Sequence, residues 1–237
     1  MPSNEISPGL VVQNLPAALQ LSDYKLIAFD MDSTLINIEC IDEIADAVGR
    51  KAQVAAITEA AMRGEITDFK DSLRRRLALL QGVTEADLHA VKSERLRLNP
   101  GAAALVSACK QAGLKVLLVS GGFTYFASHV CELLGIDFMR SNALQIDNGA
   151  LTGALVQQAW GDICDGAEKR RTLLEVASLL NIRPDQCIAM GDGANDLPMM
   201  GAAGLSVAYH AKTAVREQAQ VAINEGGLDR LLEVLKA

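Results

Sequence analysis

The feature that most constrains the fold is a series of short, uninterrupted apolar runs. They occupy residues 25–29, 114–119, 187–190 and 205–209, and a weaker run covers residues 221–224. Runs of this length without polar alternation are typical of strands that are buried on both faces of a parallel sheet. Amphipathic helical patterns lie between them, and strands that alternate with helices predict βαβ units. We therefore expect an α/β fold built on a parallel sheet.

Residues 40–98 interrupt this alternation. They contain consecutive stretches with apolar residues at helical spacing and no convincing strand. Because the segment follows the first strand end directly, we expect it to form a helical cap over a site, with residues 25–39 and 99–237 as the core. Residues 1–24 hold three prolines and little periodicity, and we expect an extended N-terminal arm there.

The charge and composition of the chain argue against a nucleic-acid partner. The 237 residues carry a formal net charge of −7, whereas proteins that hold nucleic acid present broad basic surfaces. Half of the residues are hydrophobic and only 4% are aromatic. This composition suits a layered helix-and-sheet core better than a sandwich of short, aromatic-rich strands. We expect the partner to be a small-molecule substrate.

The cysteines and the apolar runs bear on the compartment. The five cysteines lie far apart, without a CxxC pair: Cys40, Cys109, Cys131, Cys164 and Cys187. This spacing matches neither a disulfide framework nor a zinc site. The sequence shows no signal-peptide pattern and no apolar run long enough to span a bilayer. We expect a cytoplasmic protein that does not associate with membranes. The sequence does not decide between a monomer and a homodimer.

Three polar clusters follow three of the predicted strands. They comprise Asp30 and Asp32, then Ser120, Gly121 and Gly122, and then Asp192, Asn195 and Asp196. Because the carboxyl ends of parallel strands share one edge of a sheet, the three clusters are predicted to meet in one crevice. Each cluster alone could be an ordinary turn or cap. Their coincidence on one edge favours a functional site.

Two familiar motifs do not account for these clusters. The aspartate pair begins like a calcium-binding loop, but Leu35 and Ile41 stand where that loop requires glycine and glutamate. Gly191 and Gly193 look like half of a dinucleotide fingerprint, but Asp196 replaces the third glycine. A carboxylate at that position would repel a pyrophosphate, so both motifs are excluded.

The clusters suit metal-dependent phosphoryl transfer. Their four carboxylates can hold a hard cation, and Mg²⁺ is the usual choice where phosphate also binds. Backbone N–H groups of the Ser120-Gly121-Gly122 turn can bind phosphate oxygens, and Lys169 can offset charge repulsion. One aspartate can attack phosphorus to form an acyl phosphate, while the other protonates the leaving oxygen and later activates water.

These residues resemble the four motifs of the haloacid dehalogenase superfamily of phosphohydrolases. The motifs fall at residues 29–35, Ser120-Gly121-Gly122, Lys169 and residues 191–196. Residues 32–45 and 72–76 resemble, more narrowly, its phosphoserine phosphatase family. The resemblance runs from about Lys25 to the end of the chain. It implies a three-layer, Rossmann-like core with a small helical cap inserted after the first strand.

The resemblance implies a role for each residue of the crevice. Asp30 would be the nucleophile and Asp32 the general acid and base. Mg²⁺ would be held by the Asp30 carboxylate, the Asp32 backbone carbonyl and Asp192. The implied phosphate contacts are Ser120, Gly121, Lys169 and Asn195, with Gly122 and Asp196 as supporting residues.

In the helical segment, the resemblance implies that Glu39 meets a substrate ammonium group and Arg76 its carboxylate. Met62 and Phe69 would close over the apolar side of the substrate. Taken alone, Glu39 could be a charge at a helix start and Arg76 part of a solvated basic face. An arginine can grip a carboxylate with two parallel hydrogen bonds, which favours the binding role.

The implied reaction is Mg²⁺-dependent hydrolysis of O-phospho-L-serine to L-serine and phosphate, the last step of serine biosynthesis. A phosphotransferase that passes phosphate from phosphoserine to homoserine would use the same acyl phosphate, and the sequence does not separate the two. Another small phosphomonoester would leave Glu39 and Arg76 without partners. A non-enzymatic phosphate or metal sensor would not need Asp30 as a nucleophile.

Overall fold

The computed structural model describes residues 3–15, 19–63 and 65–236. The described strands are β1 Ser3–Ser7, β2 Leu10–Gln13, β3 Leu19–Gln20, β4 Leu26–Phe29, β5 Lys115–Phe123, β6 Phe138–Asn142, β7 Leu144–Asp147, β8 Ala150–Leu155, β9 Cys187–Gly191, β10 Leu205–Tyr209, β11 Val221–Ile223 and β12 Leu235–Lys236. Two short strand pairs, β3–β12 and β7–β8, stand apart from the main sheet.

The described helices are α1 Cys40–Ala47, α2 Lys51–Met62, α3 Phe69–Ala78, α4 Glu85–Ala90, α5 Ala102–Gln111, α6 Thr124–Leu134, α7 Gly166–Leu179, α8 Leu197–Met200 and α9 Thr213–Arg216. Short single-turn segments connect several of them. Among the residues that the structure describes, no helix is long and apolar enough to cross a membrane.

The main sheet has the order β1-β2-β11-β10-β9-β4-β5-β6 in the described chain. The six strands from β11 to β6 run parallel to their neighbours. The chain moves outward from β4 through β5 to β6, and then returns to build β9, β10 and β11 on the other side of β4. The strand order therefore reverses between β4 and β9, where α/β sheets usually bind ligands.

Helices cover both faces of this sheet, as a three-layer core requires. On β4, Ile27 and Phe29 pack into one apolar cluster, whereas Leu26 and Ala28 pack into the other. Successive side chains of a strand point to opposite faces, so β4 contributes to both layers. Helices α5 and α6 belong to the first cluster, and α7 and α8 to the second. The predicted α/β architecture is confirmed.

Within the segment expected to be an extended N-terminal arm, residues 3–13 form two strands that join the main sheet. Strand β1 pairs antiparallel with β2, and β2 pairs antiparallel with β11, with Val12 opposite Val221. The left-handed Gly9, at φ +71°, allows the tight turn between β1 and β2. The chain thereby extends the parallel sheet by an antiparallel edge.

Two predicted boundaries differ from the structure near the crevice. Ser120, Gly121 and Gly122 continue β5, which ends at Phe123, instead of forming a separate turn, and α6 begins at Thr124. A bulge in the β5–β6 pairing accompanies this extension. The weak strand prediction at 221–224 corresponds to β11, which ends at Ile223.

The hairpin β7–β8 packs against the helical segment. The Gly82 N–H donates to the Leu151 carbonyl at 2.8 Å, and the Leu151 N–H donates to the Val83 carbonyl at 2.8 Å. The Glu85 N–H donates to the Gly149 carbonyl at 3.0 Å. The helices between 40 and 98 are therefore bound to a hairpin that follows β6 in the sequence.

Candidate active site

The three predicted polar clusters meet at one cavity of about 660 Å³. Asp30 follows β4, Ser120 lies near the end of β5, and Asp192 follows β9. Side chains of α1, α2 and α3 form the opposite wall, including Ile41, Thr58 and others. The cavity is thus enclosed between the carboxyl edge of the sheet and the helical segment.

Asp30 is fixed by neighbours on both sides. It is almost fully buried, and its Oδ1 accepts the Met31 backbone N–H at 2.7 Å. Lys169 Nζ lies 2.8 Å from the same oxygen and 2.7 Å from Asp196 Oδ1. Lys169 and Asp196 have no solvent exposure, so these ion pairs are shielded from water.

The loop after β9 is folded around Asp196. The Asp196 Oδ2 atom accepts hydrogen bonds from the N–H groups of Asp192 at 3.2 Å and of Gly193 at 3.0 Å. A Cβ atom at Gly191 would lie 2.3 Å from the Asp196 carboxylate, so glycine is required for this close approach. Asp196 therefore organises the loop and neutralises Lys169.

Three carboxylates converge at and beneath the cavity floor, where Asp30 and Asp192 line the cavity and Asp196 is buried behind them. One oxygen from each of Asp30, Asp192 and Asp196 lies within 4.8 Å of the others. Burial, followed by the negative charge of Asp196, raises the pKa of Asp30 well above its usual range and that of Asp192 to about 6. Carboxylates this close resist ionising together, and a bound cation would relieve that repulsion.

The carboxylate oxygens are unequally available. Both Asp196 oxygens accept hydrogen bonds from protein groups. Asp192 Oδ1 accepts the Thr34 hydroxyl at 3.2 Å, whereas the second oxygens of Asp30 and Asp192 have no hydrogen-bond donor within the described ranges. Oxygen donors of this kind suit a hard divalent cation such as Mg²⁺. The residues present therefore fit such an ion.

The Asp32 carboxylate is not part of this group, so the prediction of four converging carboxylates is corrected to three. A tight turn after Asp30, with Ser33 at φ +56°, directs Asp32 away toward α1. Its oxygens contact Cys40, at 3.3 Å from the backbone N and 3.1 Å from Sγ. Burial, followed by the charge of Glu39, raises the pKa of Asp32 to about 7.

Lys169 keeps its charge in this setting. Burial alone would lower its pKa, but the carboxylates of Asp196 and Asp30 outweigh burial and raise the pKa above its ordinary value. The result is a permanent positive charge beside Asp30. Such a charge favours the approach of an anion to this carboxylate.

The end of β5 forms a small-residue floor. Ser120 Oγ accepts the Gly122 N–H at 2.9 Å, so that N–H is engaged in this conformation. A Cβ atom at Gly122 would lie 3.1 Å from Asp32 Oδ2 and 2.9 Å from Met31 Cε. A larger residue at this position would require the Met31 side chain and the Asp32 carboxylate to shift.

A buried asparagine holds the β5 end in place. The Asn142 side chain donates to the Gly121 carbonyl at 2.7 Å and accepts the Cys164 N–H at 2.8 Å. Asn142 has no solvent exposure. This side chain therefore links β5 to the loop that leads to Lys169, and no sequence motif indicated its role.

The opposite wall carries charges of both signs. Glu39 Oε1 accepts the Ser33 hydroxyl at 2.6 Å, and burial by the surrounding walls raises the pKa of Glu39. Burial lowers the pKa of Arg76, while the charges of Asp42 and then Glu39 oppose that shift. An acidic and a basic group therefore face one cavity, as a zwitterionic ligand would require.

Arg76 differs from the two arginines that precede it. Its recorded hydrogen bond, at 3.4 Å, runs from Nε to the Ser72 carbonyl of its own helix. Arg74 and Arg75 are exposed and pair with Asp162 and Asp71. Within the described residues, Arg76 has no ion pair, so its guanidinium is available to a ligand.

Of the remaining predicted residues, Phe69 and Asn195 line the cavity. Phe69 Cζ would lie 3.3 Å from a Cβ atom at Gly121, so its ring covers that glycine. Asn195 lines the cavity, and its Oδ1 would lie 2.3 Å from a Cβ atom at Gly193. The Met62 side chain lies outside the described part of the structure.

Sequence reasoning missed several cavity residues, among them Asp42 and Lys212. Asp42 lies one helical turn after Glu39, and its Oδ1 is buried without a hydrogen-bond partner among the described residues. The spacing of three residues could have indicated a shared helix face. Lys212 lines the same cavity from the loop after β10, and nothing in its local sequence distinguished it.

With this geometry in place, the chain can be compared with known proteins. Residues 24–204 match the haloacid dehalogenase-like hydrolase family. A phosphoserine phosphatase of Polaromonas sp. is 71% identical over 236 residues, covering 100% of both chains. That of Albidiferax ferrireducens is 70% identical over 231 residues, covering 98% of both. The chain belongs to the phosphoserine phosphatase family of haloacid dehalogenase-like hydrolases.

The fold of the family is matched as well. A solved structure described as a phospho-aspartyl intermediate analogue of phosphoserine phosphatase superposes with a TM-score of 0.82 at 36% identity. The match covers 90% of this chain and 99% of that one. Haloacid dehalogenase-like hydrolases generally use a divalent metal, and the buried acidic cluster of this family member fits one.

Proposed function

We propose that this phosphatase hydrolyses O-phospho-L-serine to L-serine and phosphate, with Asp30 as the nucleophile. One observation carries the proposal. A single cavity is lined on its sheet side by Asp30, which is paired with the buried Lys169, and on its helical side by both Glu39 and Arg76. The first pair suits a phosphate group, and the second suits an ammonium and a carboxylate. The names of the relatives support the same substrate.

Substrate binding follows from the charges. The phosphate would lie beside Lys169 and against Ser120 and Gly121, with Asn195 on its outer side. Glu39 would accept the ammonium group, and Arg76 would donate two hydrogen bonds to the carboxylate. Phe69 and Met62 would both shield the apolar side of the ligand from water.

The first chemical step is attack by an Asp30 carboxylate oxygen on phosphorus. The bond from phosphorus to the seryl oxygen breaks, and Asp32 gives its proton to that oxygen, so L-serine leaves neutral at its hydroxyl. Asp30 then carries the phosphoryl group. A pKa of about 7 for Asp32 allows it to hold a proton before this step and to give it up during it.

The second step returns the enzyme to its starting state. Asp32, now ionised, accepts a proton from water, and the water oxygen forms a bond to phosphorus. The bond from phosphorus to Asp30 breaks, and phosphate leaves. Lys169 stays charged throughout, offsetting the negative charge that collects beside Asp30.

For the metal, we propose Mg²⁺, held by the carboxylates of Asp30 and Asp192 and by the Asp32 backbone carbonyl. The oxygens of these groups can coordinate a metal ion in addition to the hydrogen bonds described above, and oxygen donors suit Mg²⁺. When bound, the ion supplies positive charge that offsets the phosphate and the acidic cluster. Gly122 and Asp196 support this arrangement through their packing and hydrogen bonds.

We further propose that residues 40–98 form a cap and that residues 25–39 and 99–237 form the core, with residues 1–24 as an amino-terminal element. A cap that closes on its ligand should exchange its amide hydrogens more slowly when phosphate and serine are bound with Mg²⁺. Hydrogen exchange measured by mass spectrometry tests this. Protection confined to the core would contradict a closing cap.

The biological setting is part of the proposal. Release of L-serine suits the last step of serine biosynthesis. The five cysteines are unpaired in the structure, which is typical of a reducing compartment, and we expect a cytoplasmic enzyme that acts on a small molecule.

The test is phosphate release from a panel of phosphomonoesters, with Mg²⁺ and with a chelator. The panel holds phospho-L-serine, phospho-L-threonine, phosphoethanolamine and phosphoglycolate, with homoserine added in a parallel set. We expect a strong, Mg²⁺-dependent preference for phosphoserine and release of free phosphate. A preference for an ester without an amine and a carboxylate would refute the assignment of Glu39 and Arg76. Formation of phosphohomoserine at the expense of phosphate would identify a transferase.

A further inference from the structure

A buried cysteine contacts the proposed general acid and base. Cys40 has no solvent exposure, and its Sγ lies 3.1 Å from Asp32 Oδ1. Its backbone N lies 3.3 Å from Asp32 Oδ2. One residue therefore holds both oxygens of the carboxylate. In the described part of the chain, no other hydrogen-bond donor reaches Asp32.

The local fold explains why Cys40 arrives at this point. The left-handed Ser33 turns the chain back after Asp32, and the Ser33 N–H donates to the Ile38 carbonyl at 3.2 Å. The chain then enters α1, of which Cys40 is the first residue. Backbone N–H groups at a helix start have no partner within the helix, so an acceptor must come from outside. Asp32 supplies it.

The two aspartates of the turn are thus held by different parts of the molecule. Asp30 is held by the adjacent Met31 N–H and by Lys169 of α7, both of which belong to the sheet side. Asp32 is held by the first residue of the helical segment. Because Glu39 directly precedes Cys40, one helix start fixes both the proton donor and the proposed ammonium contact.

We infer that Cys40 is a positioning residue, whose thiol and backbone N–H hold the Asp32 carboxylate in the orientation needed for proton transfer to the leaving oxygen. The inference rests on the proposed function of Asp32. A thiol is a weak hydrogen-bond donor, so it can fix the carboxylate without greatly reducing its basicity. A loss of this contact would allow Asp32 to turn away from the leaving group.

The experiment compares Cys40→Ala with Cys40→Ser. The two variants have nearly the same side-chain volume and keep the backbone N–H, but only serine can donate to Asp32 Oδ1. Each is assayed with Mg²⁺ on ethyl phosphate and on 4-nitrophenyl phosphate. Neither ester carries an amine or a carboxylate, so changes at Glu39 or Arg76 affect both equally.

The two esters differ in their need for a proton. Ethoxide is a poor leaving group and requires protonation, whereas 4-nitrophenolate leaves as the anion. We expect Cys40→Ala to lower kcat/KM for ethyl phosphate by about 10-fold and for 4-nitrophenyl phosphate by less than about 2-fold. Cys40→Ser should recover most of the loss on ethyl phosphate.

Two results would overturn the inference. One is an equal fall in kcat/KM on both esters in Cys40→Ala, and the other is a Cys40→Ser variant indistinguishable from Cys40→Ala. If Cys40→Ala does not fold, the matched pair Cys40→Thr and Cys40→Val replaces it, and the same leaving-group comparison decides. A wild-type enzyme without activity on phosphoserine or either ester would overturn the proposed function itself, which separates that failure from a failure at Cys40.

Discussion

The two walls of the cavity differ in how fully their polar side chains are bonded to other protein groups. On the sheet side, Asp30, Lys169 and Asp196 bond to one another and to the backbone. On the helical side, Glu39 and Arg76 each make one side-chain hydrogen bond to the residues that the structure describes. The sheet wall is therefore already organised before a ligand arrives, whereas the helical wall keeps donors and acceptors for the ligand itself.

The charge balance differs in the same way. Three carboxylates of the sheet wall meet one ammonium group, and burial raises the pKa of Asp30 and Asp192. A bound cation there would favour the ionised forms of Asp30 and Asp192. The helical wall has acidic and basic groups together, and a zwitterionic substrate could pair with both. Chemistry and recognition are therefore separable, and mutations can test each wall alone.

The largest effect should come from Asp30→Asn. The amide has the shape of the carboxylate but is a very poor nucleophile, so hydrolysis of every ester should fall by about 10⁴-fold. Phosphate release at saturating phosphoserine measures the loss. Because Arg76 and Glu39 are untouched, binding of phosphoserine by the variant should persist in calorimetry. An Asp30→Asn enzyme with substantial turnover would place the nucleophile elsewhere.

Next in size is Lys169→Met. This change leaves the buried Asp30 and Asp196 carboxylates without their ammonium partner, and loss of one partner of a buried pair typically costs about 3–5 kcal/mol of unfolding free energy. Urea denaturation measures this quantity. Lys115→Met is the matched control, since Lys115 pairs with Asp137 at the surface and should change stability by less than about 1 kcal/mol. Equal effects would contradict the sheet-wall account.

Arg76→Ala tests the helical wall. If Arg76 holds the substrate carboxylate, Arg76→Ala should lower kcat/KM for phosphoserine. The fall should correspond to a loss of roughly 2–4 kcal/mol of transition-state binding free energy. Activity on phosphoethanolamine, which lacks the carboxylate, should change little. Arg75→Ala is the control, because the Arg75 side chain is 57% exposed and bound to Asp71. A similar loss on both substrates would remove Arg76 from the recognition site.

The smallest effect should come from the partly exposed ion pairs that join α3 to the loop before α7. Lys70 and Arg74 of α3 pair with Asp162 in the loop before α7, at 2.9 and 2.6 Å. These groups are partly exposed, so Asp162→Asn should change the free energy of unfolding by less than about 1 kcal/mol. The change should shrink further in high salt. A large, salt-independent loss of stability would show that this contact is buried in solution.

The sheet wall was largely predictable from the sequence. Continuous apolar runs identify β4, β5, β9 and β10, and the parallel arrangement then brings Asp30, Ser120 and Asp192 to one edge. Local pattern and topology suffice because each polar cluster lies at the carboxyl end of its own strand. The number of converging carboxylates is three and not four, since the Asp32 carboxylate contacts Cys40 of α1 instead of joining the others.

The parts that escaped prediction depend on contacts between distant residues. Strand β2 pairs with β11 through Val12 and Val221, and no local pattern specifies that partner. The attachment of Leu151 to Gly82, and the support of Gly121 by Asn142, likewise arise only when separate segments pack. Asp42 and Cys40 acquire their positions from the packing of α1 against the turn after Asp30.

The central claim is that Asp30 becomes phosphorylated during turnover, and rapid acid quenching measures it most directly. Wild-type enzyme with Mg²⁺ is mixed with phosphoserine, quenched within milliseconds, digested and analysed by mass spectrometry. We expect an acid-stable, base-labile phosphoryl group on the peptide that contains Asp30, and none in Asp30→Asn. A phosphoryl group on another residue, or full turnover without any phosphorylated peptide, would contradict the account.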